Sequence, residues 1–309
     1  MTGGAGFIGS HLVDALVARG EEILVIDDVS TGKREYVNPK VQFVERDICT
    51  TTALDIMRAF KPEVIFHLAA QKSVSESLKH PRKDAEINLV GLCNILEAIP
   101  GSGLQKFIFA STGGAMYGDQ AKLPATEALP ANPSSPYGLA KYVSERYLEL
   151  WSKLHNFQTV SLRFANVYGP RQDPWGEAGV IAILAQRAVE KEPMRVFGTG
   201  QHTRDYVYVA DVVQAFLKAV EVEGSGTYNI GTGQETSVLD IIQTLSKVIG
   251  RELEINYQPE VVGEMARSSI DASKARAGLN WQPSVVLEAG IRKTYEWFQS
   301  HQRKSLWPR

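Results

Sequence analysis

Hydrophobic positions near the N-terminus change from helical spacing to the continuous pattern of a buried strand. Over Phe7–Arg19 the apolar residues repeat with the period of an α-helix, and Gly20 follows where helices commonly end. The residues expected on the buried side of this helix are Leu12, Ala15, Leu16 and Val17. Glu22–Ile26 is then a short apolar run bounded by turn residues, which predicts a buried strand.

The same alternation continues through the first half of the chain. Further strands are predicted at Val41–Glu45, Val64–His67, Lys106–Ala110 and Thr159–Arg163. Helices are expected between them, and the clearest are Asp84–Ala98 and Tyr137–Leu154. Strands separated by helices form a parallel sheet with both faces covered, so the pattern predicts an α/β fold with a doubly wound parallel (Rossmann) sheet.

Beyond Val167 the pattern changes to helices that alternate with short strands. The helices are predicted near Val180–Glu190, Val212–Val222, Val238–Ile249 and Leu287–Ser300. The strands are predicted at Arg195–Phe197, Tyr206–Tyr208, Thr227–Ile230 and Leu253–Tyr257. We therefore predict a Rossmann domain over residues 1–167 and a smaller α/β substrate lobe over residues 168–309, with some segments of the second part returning to the main sheet.

The start of the chain leaves almost no room for a strand. A glycine run of the dinucleotide-binding type follows a strand end, yet only Met1 and Thr2 precede Gly3. The first and central strand of the sheet is therefore expected to be nearly absent. Either the native start lies upstream, which is the interpretation we favour, or the centre of the sheet is compromised.

Composition narrows the functional classes. The 309 residues are 44% apolar and 22% charged with a net charge of -2, which is ordinary for a globular protein and gives no indication of nucleic-acid binding. Apolar runs stay well below the roughly 18 residues of a membrane span, and no signal-peptide pattern opens the chain. Cys49 and Cys93 belong to no C-x-x-C pair, so we expect no disulfide or metal site and a cytoplasmic location.

The glycine run from Thr2 to Gly9 satisfies both G-x-G-x-x-G and G-x-x-G-x-x-G. Glycine is needed there because a pyrophosphate must approach the backbone closely at the N-terminus of a helix. Asp27 ends the next strand at about the separation expected of a ribose-binding acid. Its carboxylate would repel a 2′-phosphate, which favours NAD over NADP. The alternatives are a plain glycine turn and, since Asp28 follows, an ordinary strand-end acid.

Tyr137 and Lys141 are four residues apart on a predicted helix, so both side chains can face one site. A phenol is a poor base at neutral pH, and we expect the ammonium of Lys141 and a nicotinamide cation to lower its pKa. Ser111 and Thr112 follow an apolar strand at the end where ligands bind in open parallel sheets. Thr112, or Ser111 beside it, could share a hydrogen bond with the substrate hydroxyl that Tyr137 deprotonates.

Taken together, these motifs resemble the extended short-chain dehydrogenase/reductase family, and within it the UDP-glucose 4-epimerases. The resemblance covers nearly the whole chain. Its motifs, in chain order, are the glycine run, Asp27, Asp47-Ile48, Leu68-Ala69-Ala70-Gln71, Asn88, the Ser-Thr pair, Tyr137/Lys141, Arg163–Gly169 and Arg204–Val207.

The resemblance implies a role for each matching residue. Asp47 and Ile48 would flank the adenine, and Lys141 would hold the nicotinamide ribose. The full set of implied cofactor contacts is Gly3, Gly6, Phe7, Ile8, Gly9, Asp27, Asp28, Ser30, Thr31, Gly32, Asp47, Ile48, Leu68, Ala69, Ala70, Gln71, Asn88, Ser111, Tyr137, Lys141 and Ala165. The implied substrate contacts are Thr112, Tyr137, Asn166, Gly179, Val180, Arg204, Tyr206 and Arg267, with Arg204 on the diphosphate.

The implied activity is NAD-dependent 4-epimerisation of a UDP-hexose, with no metal. Tyr137 would take the proton of the 4-hydroxyl as hydride leaves carbon 4, and the 4-keto sugar would turn over before hydride returns. A homodimer through the Asp84–Ala98 and Tyr137–Leu154 helices is also implied. Gly113, Gly114 and Ala115 follow the Ser-Thr pair, which disfavours a dehydratase because no carboxylate stands there.

One further class of enzyme is disfavoured, and one class of non-catalytic protein stays open. A 4-ketosugar reductase would exchange NADPH, and Asp27 disfavours that. A catalytically silent NAD-binding protein of the same fold remains an alternative, although it would not need Tyr137 and Lys141.

The chain departs from the family pattern at two places. Val261-Val262-Gly263-Glu264 stands where relatives carry Arg-x-Gly-Asp, so one diphosphate-binding cation is missing, and Arg267 could replace it. Ser268 stands where some epimerases carry tyrosine, and a small residue would leave room for an N-acetyl group.

Overall fold

The computed structural model describes residues 1–119, 122–175, 179–260 and 265–301. The helices are α1 (Phe7–Ala18), α2 (Thr51–Phe60), α3 (Val74–Lys79), α4 (Pro81–Ala85), α5 (Gly91–Glu97), α6 (Pro136–His155), α7 (Val180–Glu190), α8 (Val209–Glu221), α9 (Val238–Ile249), α10 (Ser273–Leu279) and α11 (Leu287–Ser300). The strands are β1 (Leu24–Asp27), β2 (Gln42–Glu45), β3 (Val64–His67), β4 (Lys106–Thr112), β5 (Gln158–Phe164), β6 (Asn166–Tyr168), β7 (Met194–Phe197), β8 (Thr203–Arg204), β9 (Tyr206–Tyr208), β10 (Gly226–Ile230), β11 (Thr236–Ser237) and β12 (Ile255–Gln258).

The main sheet is parallel, and the first residues of the chain join its halves. Strands β3, β4, β5 and β10 pair in the order β10-β5-β4-β3, and β1 pairs with β2. Thr2 lies between the halves and forms parallel bridges to Ile26 and His67. Its amide donates to the Phe66 carbonyl at 2.9 Å, and Gly3 N donates to Ile26 O at 3.1 Å. The central strand is thus reduced to Thr2, as expected, yet it still connects β1 to β3.

Strand β10 comes from the C-terminal part of the chain and pairs in parallel with β5. The register places Tyr228 opposite Leu162 and Asn229 opposite Arg163. Thr227–Ile230, one of the strands predicted beyond Val167, therefore pairs within the main sheet.

Helices cover both faces of the main sheet and bury two hydrophobic clusters. On one face, Leu12 of α1 and Phe216 of α8 pack against Ile108 and Leu162. On the other, the side chains of α2, α5 and α6, including Leu148, pack against Phe107 and Phe109. This is the covered parallel sheet that the alternating pattern predicts.

The remaining strands pair outside the main sheet in the C-terminal half. The pairs are β6 with β9, β7 with β12, and β8 with β11. A third hydrophobic cluster joins α7, α9 and α11 to these strands, and it includes Tyr168, Leu184, Ile241 and Ile291. In the part of the chain that the structure describes, no helix is both long and apolar enough to cross a membrane.

The helix predicted at Asp84–Ala98 differs from the structure. It is divided into α4, a π-helical turn at Glu86–Val90, and α5. The π turn holds Asn88 inside the protein, where its amide donates to Asp84 Oδ1 at 3.0 Å. Hydropathy alone does not indicate this turn, because the polar partner of Asn88 lies within the helix itself. Short elements such as α3 and β8 were also not predicted individually.

Candidate active site

The glycine loop is packed tightly against its surroundings at two of its three key positions. Gly3 has φ +73°, and a Cβ there would lie 2.5 Å from Ala69 N. A Cβ on Gly9 would lie 2.0 Å from Gly3 O. At Gly6 such a Cβ would meet only Gly3 O, at 3.3 Å, so this position is less crowded than the other two. The loop therefore offers backbone at Gly6, directly before Phe7 and Ile8, the first residues of α1.

Asp27 is buried at the end of β1 and holds the glycine loop in place. Its Oδ2 accepts from Ala5 N at 2.9 Å and its Oδ1 from Val29 N at 2.9 Å. Burial raises the pKa of Asp27, while these two amide donors oppose the rise. Each carboxylate oxygen retains a further lone pair for a ligand hydroxyl.

The segment after Asp27 closes one side of the loop. Asp28 is exposed, and its Oδ1 accepts from Ser30 Oγ at 2.6 Å. Thr31 is also exposed. A Cβ on Gly32 would lie 2.8 Å from Ala5 O, which places this segment against the glycine loop.

The predicted adenine contacts have different surroundings. Asp47 is exposed, and its Oδ1 accepts from Cys49 N at 2.8 Å. The Ile48 side chain is buried in the cluster under α2 and α5, and its carbonyl accepts from Asn94 Nδ2 at 3.1 Å. Of this pair, Asp47 is the side chain that solvent reaches.

The segment after β3 is held by a buried amide network. Gln71 N donates to Asn88 Oδ1 at 3.0 Å, and Asn88 Nδ2 returns a hydrogen bond to Gln71 O at 3.0 Å. Both side-chain amides also donate to Asp84 Oδ1. Before this network, Ala69 N donates to Thr2 Oγ1 at 3.3 Å. Leu68 and Ala70 lie in the same half-buried segment. Asp84 was not among the residues predicted from the sequence, because an acid in a helix is usually solvated.

Tyr137, Lys141 and Thr112 are brought together at the C-terminal end of β4. The Tyr137 hydroxyl lies near the Thr112 hydroxyl, and their interaction acts to lower the pKa of the phenol. Lys141 is buried, and its Nζ donates to the Ala110 carbonyl at 2.9 Å and lies 6.0 Å from the centroid of the Tyr137 ring. Helix α6 begins with Pro136 in its first turn, after Ser135, whose hydroxyl accepts from Gly138 N at 3.2 Å. This cap fixes the first turn of the helix and hence Tyr137.

The pKa values of the phenol and the ammonium are both shifted by burial. Burial raises the pKa of Tyr137 to about 12, outweighing the opposing effect of Thr112. Burial also lowers the pKa of Lys141 to about 8, although the carboxylates of Asp84 and Glu145 oppose this. In the chain alone, desolvation of the phenolate dominates, so the lowering expected from Lys141 together with a nicotinamide cation stays a prediction.

The Ser111 hydroxyl bonds to a residue other than Tyr137. Its hydroxyl donates to Glu145 Oε1 at 2.6 Å, on the face of β4 that α6 covers. The sequence left Ser111 and Thr112 as alternatives for the hydroxyl beside Tyr137, and the structure brings Thr112 to it. Glu145 was not singled out in the sequence.

The predicted substrate contacts come from separate elements. Asn166 opens β6, and a Cβ on Gly114 would lie 3.8 Å from its Oδ1, so it faces the segment after Thr112. Ala165 precedes it, and its amide donates to Ile230 O at 3.0 Å. Gly179 and Val180 form the N-terminus of α7.

The two predicted cations lie near each other on β8 and its neighbouring segment. Arg204 is in β8, directly before the buried pair Asp205 and Tyr206. The backbone of Arg267 forms an isolated parallel β-bridge with Thr203. The Arg267 side chain donates through Nε and Nη2 to the Glu235 carboxylate, at 2.7 and 2.6 Å. This bidentate pair lowers the pKa of Glu235 to about 2.

The structure describes one of the two places at which the chain departs from the family pattern. Val261–Glu264 lie outside the described residues. Ser268 is described and buried, and its amide donates to Thr203 O at 3.1 Å.

Chemically, the cluster combines a glycine loop at a helix N-terminus, a buried acid that holds this loop, and a phenol beside an ammonium and a hydroxyl. Among the residues that the structure describes, no group of three or more His, Cys, Asp and Glu side chains could hold a metal ion. The profile of the NAD dependent epimerase/dehydratase family matches residues 1–231. The chain belongs to this family.

Individual family members are similar over nearly the full length. A UDP-glucose 4-epimerase of Mycolicibacterium smegmatis is 42% identical over 306 residues, which cover 97% of this chain and 98% of that protein. The crystal structure of a Thermotoga maritima UDP-glucose 4-epimerase with UDP-glucose has 44% identity and a TM-score of 0.94, covering 97% of each chain. A Thermus thermophilus UDP-glucose 4-epimerase in complex with NAD has 40% identity and a TM-score of 0.91, covering 97% of this chain and 98% of that one.

Membership confirms three expectations from the sequence. The family resemblance, the doubly wound parallel sheet and an NAD-dependent enzyme of the epimerase type are all shown. The individual contacts of cofactor and substrate remain predictions.

Proposed function

We propose that this enzyme interconverts UDP-glucose and UDP-galactose by transient oxidation at carbon 4 of the hexose. The observation that carries the proposal is the arrangement of Tyr137 near Thr112, with the buried ammonium of Lys141 one helical turn away, where it donates to the Ala110 carbonyl at 2.9 Å. It lies at the carboxyl end of β4, where ligands bind in open parallel sheets. The names of the relatives support the UDP-hexose as substrate.

The residues around the glycine loop fit NAD⁺. Gly6 and the amides that begin α1 would hold the pyrophosphate, since a Cβ at Gly6 would occupy that approach. Asp27 would accept from the adenosine ribose hydroxyls through its remaining lone pairs, and Asp47 would lie beside the adenine. The other cofactor contacts expected from the sequence belong to the same proposal, except that the Ser111 hydroxyl is engaged by Glu145. When bound, NAD⁺ supplies the hydride acceptor and a positive charge.

The chain's own residues would move the proton. Tyr137 would take the proton from the sugar's 4-hydroxyl. The Thr112 hydroxyl would hydrogen-bond to both the Tyr137 oxygen and the 4-oxygen of the sugar. The high pKa of Tyr137 in the chain alone implies that the phenolate forms only when a further cation enters the site. Lys141 would orient the nicotinamide ribose and stabilise the phenolate. Arg204 would hold the diphosphate, while the 4-keto sugar turns and Tyr137 returns the proton.

A dehydratase fits the site less well. Gly113, Gly114 and Ala115 follow Thr112, so an elimination would lack the carboxylate that moves its protons. N-acetylated UDP-hexoses are included in the proposal, because Ser268 places a small side chain in the segment next to β8.

The experiment is a cofactor and substrate test on the purified protein. We expect about one NAD per chain to be released on denaturation, and UDP-galactose to be converted to UDP-glucose in a coupled assay. UDP-N-acetylglucosamine and dTDP- and GDP-hexoses are the comparison substrates. Bound NAD without turnover of any of them would instead support the catalytically silent alternative.

We further propose a homodimer formed through α5 and α6. Apolar side chains of α6 repeat along one exposed stripe, namely Leu139, Tyr147, Leu150 and Leu154, with Val90 next to α5. Contiguous exposed apolar residues of this kind mark protein interfaces. Light scattering should give a dimer for the native chain and a monomer for Leu150→Glu/Leu154→Glu. The matched control Lys153→Glu, on the same helix, should stay dimeric, and a native monomer would refute the interface.

The proposal also covers the roles of the two parts of the chain and the location of the protein in the cell. We propose that residues 1–167 mainly bind the cofactor and residues 168–309 mainly bind the sugar nucleotide. The cytoplasm, and a role in galactose metabolism, fit the reaction, and both Cys49 and Cys93 are free thiols.

A further inference from the structure

A buried ion pair lies directly below the reactive end of α6. Arg163 donates through Nε to Glu145 Oε1 at 2.9 Å and through Nη2 to Glu145 Oε2 at 2.6 Å. Glu145 is 1% exposed and Arg163 5% exposed. Ser111 Oγ donates to the same Glu145 Oε1 at 2.6 Å. The carboxylate therefore ties α6 to both β4 and β5.

The position of Glu145 relates it to the reacting groups. Tyr137, Lys141 and Glu145 are successively four residues apart, so they share one face of α6. Each meets the end of β4, where Tyr137 contacts Thr112, Lys141 contacts the Ala110 carbonyl and Glu145 contacts Ser111. A slide of α6 along β4 would break all three contacts together.

The pair continues into the rest of the sheet and the substrate lobe. Arg163 Nη1 donates to the Tyr117 hydroxyl at 2.9 Å, and that hydroxyl donates to Asn229 Oδ1 on β10 at 2.7 Å. Asn229 Nδ2 donates to the Ala125 carbonyl at 2.9 Å. Ala125 N in turn donates to Ser269 O at 2.9 Å, beside Ser268. One connected network thus joins the reactive helix to the segment proposed to face the sugar.

Stability alone is a weak explanation for this arrangement. A buried ion pair often contributes no more than apolar residues of the same volume, because both charges lose their hydration. The network consists of fully buried polar groups with directional partners, which fix a single geometry rather than adding much net free energy. Its geometric effect falls on the distance between Tyr137 and Thr112.

We propose that Glu145, held by Arg163, is a positioning residue that sets the register of α6 on β4 through Ser111 and so places Tyr137 against Thr112. The inference rests on the proposed role of Tyr137 as the base. Ser111 then serves this contact instead of bonding to the substrate.

The test removes the Ser111–Glu145 hydrogen bond and keeps the buried Glu145–Arg163 ion pair. Glu145→Gln would leave Arg163 uncompensated and could fail to fold, so the main variant is Ser111→Ala, which retains the ion pair. Ser152→Ala is the matched control. The Ser152 hydroxyl is buried like that of Ser111, but it lies on α6 and donates to the Glu149 carbonyl of the same helix. All variants are studied as NAD-loaded full chains.

Two readouts separate this proposal from the proposed function. For Ser111→Ala we expect kcat to fall by about ten- to a hundredfold, because small misplacements cost that much, with KM for UDP-galactose within about twofold. NMR titration of carbon-labelled tyrosine, with Tyr137 assigned by Tyr137→Phe, should show a higher Tyr137 pKa in Ser111→Ala than in native protein. Ser152→Ala should match the native protein in both.

The outcomes are distinct. A Ser111→Ala variant with native kcat and a native Tyr137 titration overturns the positioning role while leaving the epimerase intact. A native protein without turnover overturns the proposed function, and a shifted titration in Ser111→Ala would still support the positioning of Tyr137.

Discussion

The reactive end and the diphosphate end of the proposed site are built in different ways. At the reactive end, Tyr137, Lys141 and Glu145 lie on one helix and each has a partner on the last residues of β4. At the diphosphate end, Arg204 and Arg267 belong to separate short segments, and the Arg267 side chain is 65% exposed in its pair with Glu235.

The contrast shows how burial changes the effect of charge. Burial raises the pKa of Tyr137 to about 12, since a phenolate there has lost its water. At the surface, hydrogen bonds from Arg267 lower the pKa of Glu235 to about 2. The reactive end is thus sensitive to any added cation, whereas the diphosphate end is screened by solvent and salt.

The largest expected effect is at the reactive end. Tyr137→Phe removes the proton acceptor but retains the ring, so kcat should fall by about a hundred- to ten-thousandfold while NAD stays bound. Coupled turnover of UDP-galactose and the released cofactor measure the two quantities. Tyr257→Phe, at an exposed position on β12, is the control and should remain active. Near-native activity of Tyr137→Phe would sink the assignment of the base.

The two arginines of the diphosphate end should differ from each other. Arg204→Gln should raise KM for the UDP-sugar about ten- to a hundredfold, the effect of losing charge-assisted hydrogen bonds. Arg267→Gln should change KM less than about fivefold, because two of its donors are already used by Glu235. Initial rates at varied substrate give both values. An equal loss in the two variants would mean that Arg267 leaves Glu235 to bind the diphosphate.

The glycine loop should respond in cofactor binding and not in folding. Gly6→Ala adds a methyl group that meets only Gly3 O, at 3.3 Å, so the fold should tolerate it. We expect NAD affinity to fall about tenfold or more, as overpacking costs about 1–3 kcal/mol. Calorimetric titration of cofactor-depleted protein measures it. Gly20→Asn is the control for cofactor affinity, because Gly20 has φ +82°, which asparagine tolerates, and no atom lies within 4 Å of the added Cβ. Native affinity in Gly6→Ala would contradict the cradle.

The smallest expected effect is a pH dependence of stability from His67. Burial lowers the pKa of His67 to about 3, so the ring stays neutral in the fold and accepts or donates to Thr2 Oγ1. An unfolded chain takes up this proton below about pH 6.5, hence the free energy of unfolding should fall from pH 6.5 towards 3, by at most ~1.4 kcal/mol per pH unit. Urea unfolding at pH 7 and pH 5.5 tests this. His67→Gln should have the shallower slope, and equal slopes would contradict the contribution.

The sequence predicted those features that follow from local spacing. Helical spacing placed Tyr137 and Lys141 on one face, and α7, α9 and α11 begin and end where their hydropathy predicts. Asp27 was found because its distance from the glycine run is set by one helix and one strand. His67, the last residue of β3, is buried and stacks on Phe109.

Features that depend on contacts between distant residues were not predicted. Tyr117 and Asn229 are over a hundred residues apart in the chain, so no local pattern joins them. The rise in the pKa of Tyr137 in the chain alone was not predicted, because a sequence shows the nearby lysine but not the lost hydration. Glu145 resembles an ordinary helix-surface acid until β5 places Arg163 beside it.

The return of β10 to the main sheet limits how the chain can be divided. A fragment that stops after residue 167 would leave the hydrogen-bonding edge of β5 bare and strip α8 from the core beside Leu12 and Leu162. Bare strand edges promote aggregation. Swapping substrate lobes between relatives would therefore have to keep residues 209–230 with the cofactor-binding half.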